Sequence, residues 1–167
     1  MGRTKYMGRL QGFTLAELMA VVIIVAILSS IGFGYYRKSI EQSRFSEGLM
    51  AANAVASAIE QVKTDAVLQG NTPSSKYKFK VLPVELHSSC GDYCGATHYF
   101  NVVIEHANRV RAYRGTANSY KYYIEVNPGS SVITCGWESG KVINAEDAKN
   151  FCQSIGYTSC TGNSCTR

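Results

Sequence analysis

The chain has 167 residues, enough for one compact domain with an appended element, and 46% of them are hydrophobic, which excludes a disordered polymer. Its net charge is +5, but Arg3, Lys5 and Arg9 supply three of those charges; the remaining +2 does not suit a dedicated nucleic-acid binder. All six cysteines fall in the second half among Gly, Ser, Thr and Asn, which points to disulfides in an oxidising compartment.

Residues 1–12, MGRTKYMGRLQG, are basic and carry no acid. They are followed by FTLAELMAVVIIVAILSSIGFGYY, residues 13–36, in which Glu17 is the single charge. From Leu18 to Tyr36 nothing ionises, a run long enough to cross a bilayer as a helix. The basic cluster before it favours a cytoplasmic N-terminus. A conventional secretory signal is cut after its apolar stretch and lost with it. Here the plausible cleavage point, Gly12-Phe13, precedes the apolar stretch, which would then stay on the mature chain.

Beyond Tyr36 the helical pattern continues. Phe45, Leu49, Ala52, Ala56, Ile59, Val62 and Ala66 recur at helical spacing, with Glu41, Arg44, Glu47, Glu60 and Lys63 between them. Residues 37–69 are therefore expected to form an amphipathic continuation that ends at Gly70-Asn71-Thr72-Pro73. A helix from Phe13 to Leu68 would be about 84 Å long. Residues 70–97 show no period and are expected to be a connecting loop. Within them, Lys76-Tyr77-Lys78-Phe79-Lys80 suggests an edge strand protected by lysines; a nucleic-acid strip is the less favoured reading.

Residues 98–167 are expected to hold an antiparallel sheet and a cysteine-bearing end. Four runs, Tyr99–Glu105, Val110–Arg114, Tyr120–Val126 and Val132–Trp137, are separated by turns at His106-Ala107-Asn108, Gly115–Ser119 and Asn127–Ser130. Asn144 with Asp147 three residues on marks an N-cap, and a short helix through Ser154 follows. The tail from Gly156 is expected to be loop. The fold class is α+β: one long helix whose second half packs on a four-stranded antiparallel sheet.

Few residues suggest chemistry. His87, His98 and His106 lack metal-ligand spacing, and no nucleophile–base or paired-carboxylate set stands out, so no catalytic residue, metal or cofactor is expected. Cys135 and Cys152 are expected to pair, tying the last strand to the C-terminal helix. Cys90–Cys94 and Cys160–Cys165 are expected as local pairs around short Gly-containing turns.

The stretch from Gly12 through Phe13, Thr14-Leu15, Glu17 and the following apolar helix resembles the prepilin family, the precursors of type IV pilins and of type II secretion pseudopilins. The resemblance covers about the first third of the chain. It implies that a prepilin peptidase cuts between Gly12 and Phe13 and methylates the Phe13 amine. It implies that subunits leave the bilayer to form a helical homo-oligomeric filament, driven by an inner-membrane platform protein and an assembly ATPase. Glu17 would then face the Phe13 amine of a neighbouring subunit. Many members carry a proline where this chain has Gly34, with Gly32 nearby; the two glycines would either soften the helix more gently or simply allow close helix packing. The precursor would span the inner membrane once and the filament would be extracellular. Within the family, a pseudopilin or a minor adhesive or DNA-binding pilin is the alternative.

Overall fold

The computed structural model describes residues 12–105 and 109–167. The basic positions Arg3, Lys5 and Arg9, and the expected turn His106-Ala107-Asn108, lie outside the described residues. Two compact units divide between Glu41 and Gln42.

Helix α1 (Leu15–Leu68) runs through both units. In the first unit every residue from Gly12 to Ser39 is exposed. In the second, Phe45, Gly48, Ala51, Ala52, Val55, Ala56, Ala58 and Ile59 form a buried stripe. Small side chains dominate that stripe, so the helix axis lies close to the sheet. A Cβ on Gly48 would stand 2.7 Å from the Phe100 ring, a position only glycine can fill here. The helix ends through Gly70 in the left-handed region (φ 73°), where its N–H donates to Val67 O and Asn71 N–H donates to Ala66 O. Glycine adopts that backbone without a Cβ clash, so the last carbonyls find partners.

The sheet has eight strands, all paired antiparallel: β1 (Ser88–Gly91), β2 (Cys94–Ala96), β3 (Asn101–Ile104), β4 (Val110–Thr116), β5 (Ser119–Val126), β6 (Ile133–Gly136), β7 (Ser159–Thr161) and β8 (Ser164–Thr166). The spatial order is β1-β2-β3-β4-β5-β6-β8-β7. The central strands β3 to β6 are the four expected from sequence, and the α+β class holds, but the strand number does not. Residues 70–97 are not simply loop: they hold a 3₁₀ turn at Phe79–Val81 and the β1–β2 hairpin. The tail is not loop either, because β7 and β8 form a second hairpin. The Lys76–Lys80 segment is not a strand. Tyr77 is buried there, its phenol accepting from Ser74 N–H at 3.1 Å, and Lys76 and Lys78 sit over the Tyr93 ring of the hairpin.

Alternation assigns the two faces of β4 and β5. Val110, Ala112, Tyr122, Ile124 and Val126 belong to the main core with the α1 stripe. Helix α2 (Ala145–Ser154) joins that core through Ala148 and Cys152. Its start is set by Asn144, whose side chain accepts from Glu146 N–H at 3.0 Å and Asp147 N–H at 3.3 Å. Phe151 stacks on Tyr122 with ring centres 4.5 Å apart, and Phe45 packs beside both.

Tyr113, Tyr120 and Tyr123 form a separate buried cluster. Beside it Arg111 donates to Glu125 at 2.7 Å and to Glu138 at 2.6 Å, and lies over the Tyr123 ring at 4.4 Å. Tyr113 donates to Glu105 at 2.6 Å. Burial opposes the charge on Arg111, but its bonds to Tyr113 and Glu125 and the nearby Glu105 outweigh that and hold its pKa above the ordinary value. Burial, reinforced by the bond to Glu105, holds the Tyr113 phenol well above its usual range. These charges pair with one another inside the fold rather than face a ligand.

Candidate functional site

The first unit presents a continuous apolar surface. Phe13 is 82% exposed, and Leu15, Leu18, Val22, Ile27, Ile31 and Phe33 are all more than half exposed. Among the described residues this is the one helix long and apolar enough to cross a membrane. An apolar surface of this extent is a burial site awaiting lipid or protein. The Ser30 hydroxyl turns inward: its Oγ–H donates to Ile27 O at 2.7 Å, so its proton is spent on the helix.

The polar groups gather at the helix start. Thr14 N–H and Thr14 Oγ1–H both donate to Glu17 Oε2 at 2.8 Å, while Glu17 N–H donates to Thr14 Oγ1 at 3.2 Å. This reciprocal pair is a capping box, with Thr14 as cap and Glu17 three residues in. It satisfies donors that the first helical turn leaves orphaned and places the carboxylate where the helix dipole favours an anion. Phe13 immediately precedes the cap and Gly12 precedes Phe13, so the expected cleavage point and the acid lie within one turn of each other in sequence. The capping signal stands in the sequence as Thr14-x-x-Glu17, a pattern not among the expectations for that stretch. Gly32 and Gly34 lie within continuous helix, and a Cβ on either would meet nothing within 4 Å.

The disulfides are Cys90–Cys94, Cys135–Cys152 and Cys160–Cys165. The second ties β6 to α2, and the other two close the β1–β2 and β7–β8 hairpins at opposite edges of the sheet. The remaining candidate ligands stand apart among the described residues. His87 and His98 rings are 6.5 Å apart with no third ligand, no group of three metal-binding side chains occurs among the described residues, and His106 lies outside them. Lys78 pairs with Asp92 at 2.7 Å; hydrogen bonding and the opposite charge raise the pKa of the lysine and lower that of the acid.

Comparison with known proteins bears on the first unit. A family model described as the prokaryotic N-terminal methylation motif matches residues 7–33. Two proteins of Dichelobacter nodosus, each described as a probable minor fimbrial protein, are 39% and 37% identical to this chain over 59 residues. Each match covers 35% of this chain and 37% of the relative, so it extends over little more than a third of either protein. No solved structure matches.

Proposed function

We propose that this chain, whose N-terminal segment is that of the type IV pilin and prepilin family, is a structural subunit that polymerises into a pilus-like extracellular filament. The observation that carries the reading is the fully exposed apolar segment from Phe13 to Tyr36, helical from Leu15 and interrupted by one acid, Glu17. A segment of this kind is stable in lipid before assembly and against identical helices afterwards, so a single surface serves both states. Removal of residues 1–12 by a prepilin peptidase frees the Phe13 amine next to the capping box. Methylation leaves that amine basic. In the filament core, the amine of one subunit would meet the Glu17 carboxylate of the next, and the pair would fix the register that greasy surfaces alone leave loose.

The same logic assigns the partners. The bilayer holds the cleaved subunit, a platform protein and assembly ATPase lift it out, and the sheet-bearing unit stays outside the helical core. Of the alternatives, a minor subunit gains most support, because both relatives carry that description. Intact-mass measurement of the membrane-extracted chain tests the processing: a 155-residue product beginning at Phe13 and bearing one methyl group is expected, this being the 167 residues less the first 12. A product cut after the apolar stretch would remove the proposed filament core and end the reading. Counting this subunit against the others in sheared filaments separates a minor from a major role.

A further inference from the structure

Three of the six cysteines lie in one row across the sheet. Cys160 is opposite Cys165 in the β7–β8 pair, and Cys165 is opposite Cys135 in the β8–β6 pair. Directly opposed residues of antiparallel strands share a face, with Cα atoms about 4.5–5.5 Å apart. For Cys135 and Cys165 that lies within the roughly 4.4–6.8 Å that a disulfide spans, and the Cα atoms of Cys160 and Cys165 are 3.9 Å apart. Cys165 therefore stands beside two cysteines it could bond, and it is bonded to Cys160. The other, Cys135, is bonded to Cys152. Tyr157 links the other two cysteines: its N–H donates to Cys152 O at 3.1 Å and its carbonyl oxygen is 3.8 Å from Cys160 Sγ, while Gln153 Nε2, next to Cys152 in the chain, is 3.7 Å from that sulfur. Cys135, Cys152 and Cys165 are fully buried, whereas Cys160 is partly exposed.

We propose that these two disulfides are one exchangeable unit, entered by an external thiol at Cys160, with Cys135–Cys165 and Cys152–Cys160 as the second pairing. Access selects the sulfur attacked. A thiolate from solvent bonds to Cys160 Sγ, and the Cys160–Cys165 bond breaks to release the Cys165 thiolate. That thiolate attacks Cys135 Sγ across the β8–β6 pair; Cys135–Cys165 forms and Cys152 leaves as the thiolate. Cys152 then attacks Cys160 Sγ of the mixed disulfide, forming Cys152–Cys160 and returning the external thiolate. Each step makes one sulfur–sulfur bond and breaks one, so the exchange needs a thiol catalyst but no net oxidant or reductant.

The two pairings differ in what they hold together. In the observed one, the β7–β8 hairpin is bonded only to itself and meets β6 through backbone hydrogen bonds. In the exchanged one, β8 is bonded to β6 and β7 to the last turn of α2, so the C-terminal edge is covalently part of the sheet. Cys90–Cys94 lies at the opposite edge and takes no part.

The test uses the full chain in detergent micelles with substoichiometric reduced glutathione at about pH 8, near the ordinary thiol pKa. Acid quenching, alkylation and non-reducing peptide mapping with fragmentation then give the linkages over time. A growing fraction of Cys135 linked to Cys165, matched by Cys152 linked to Cys160, with Cys90–Cys94 unchanged, is the expected result. Cys135 found only with Cys152 at every time overturns the proposal. A second measurement uses Cys160→Ser, which leaves one unpaired thiol. Alkylation divided between Cys165 and Cys152 is expected, and label confined to Cys165 overturns the exchange step.

Discussion

Two stretches of one helix show how differently the same backbone can be stabilised. Residues 13–36 are apolar on every side, carry one charge and are exposed throughout, while residues 42–66 mix charged residues with a stripe of Ala, Val and Ile that eight buried positions press against the sheet. Each stretch has its backbone hydrogen bonds satisfied within the helix. What separates them is the partner of the side chains: the second finds it inside its own chain, the first only in lipid or in other molecules. Folding is thus complete for one stretch and deferred for the other.

The sharpest way to break that contrast is Glu17→Gln. Glutamine keeps the capping box, so the helix start survives, and insertion into lipid becomes no harder. Under the proposed pairing, the neighbour's amine would lose its charged partner in an apolar core, a cost of about 3–5 kcal/mol. Cleaved subunit accumulating in the membrane with few or no filaments is the expected outcome in shearing assays and electron microscopy. Normal yield would mean that packing alone drives assembly. The next effect belongs to the self-contained stretch and its sheet. Removing the bond between β6 and α2 with Cys135→Ser and Cys152→Ser together opens a loop of sequence separation 17 and should cost about 3 kcal/mol. Denaturant unfolding in detergent would show it, whereas membrane insertion should be unchanged.

Glycine gives a matched pair. Gly48→Ala drives a methyl into the Phe100 ring and should cost about 1–3 kcal/mol. Gly34→Ala meets nothing within 4 Å and should leave the isolated subunit at least as stable, gaining up to about 1 kcal/mol of helix propensity. If both were neutral by thermal unfolding, the close helix–sheet approach would be wrong. The smallest effect is alkaline. Burial, with Glu138 nearby, pushes the Tyr120 phenol up to about 12. Its neutral form is favoured in the folded state, so this contribution is intact below about pH 10 and fades as pH rises to about 12. Tyr120→Phe should flatten the fall of stability across that window in pH-jump circular dichroism; an unchanged slope would assign the loss to other groups.

The long helix was legible from end to end because its signals are local. The uncharged run from Leu18 to Tyr36 begins it, the period of Phe45, Ala52, Ala56 and Ile59 carries it, and Gly70 closes it, while the Thr14–Glu17 cap at its start went unrecognised. Asn144 announced α2 for the same reason. The hairpins at the sheet edges were not legible. Their strands read SSCG, CGA, SCT and SCT, three or four residues each, too short and too poor in β-branched or aromatic side chains to show alternation. Pairing with a neighbouring strand and a local disulfide make them strands, and neither is written in the segment itself. The Lys76–Lys80 alternation misled for the converse reason: its period is that of a strand, yet burial of Tyr77 and the lysines on Tyr93 hold it irregular. The Arg111 ion pairs link residues 14 and 27 apart, beyond any spacing rule.

Those short edges bear on which kind of polymer the molecule can make. A protein held at high density in a growing fibre is exposed to the commonest failure of sheet proteins, the stacking of strand upon strand into cross-β aggregates. Here the terminal strands β1 and β7 offer only four and three residues of backbone, and each belongs to a hairpin closed by its own disulfide. Such a template is too brief and too stiff to recruit a passing chain. The sheet is thereby withdrawn from self-association, and under the proposed function growth would be left to the exposed apolar helix.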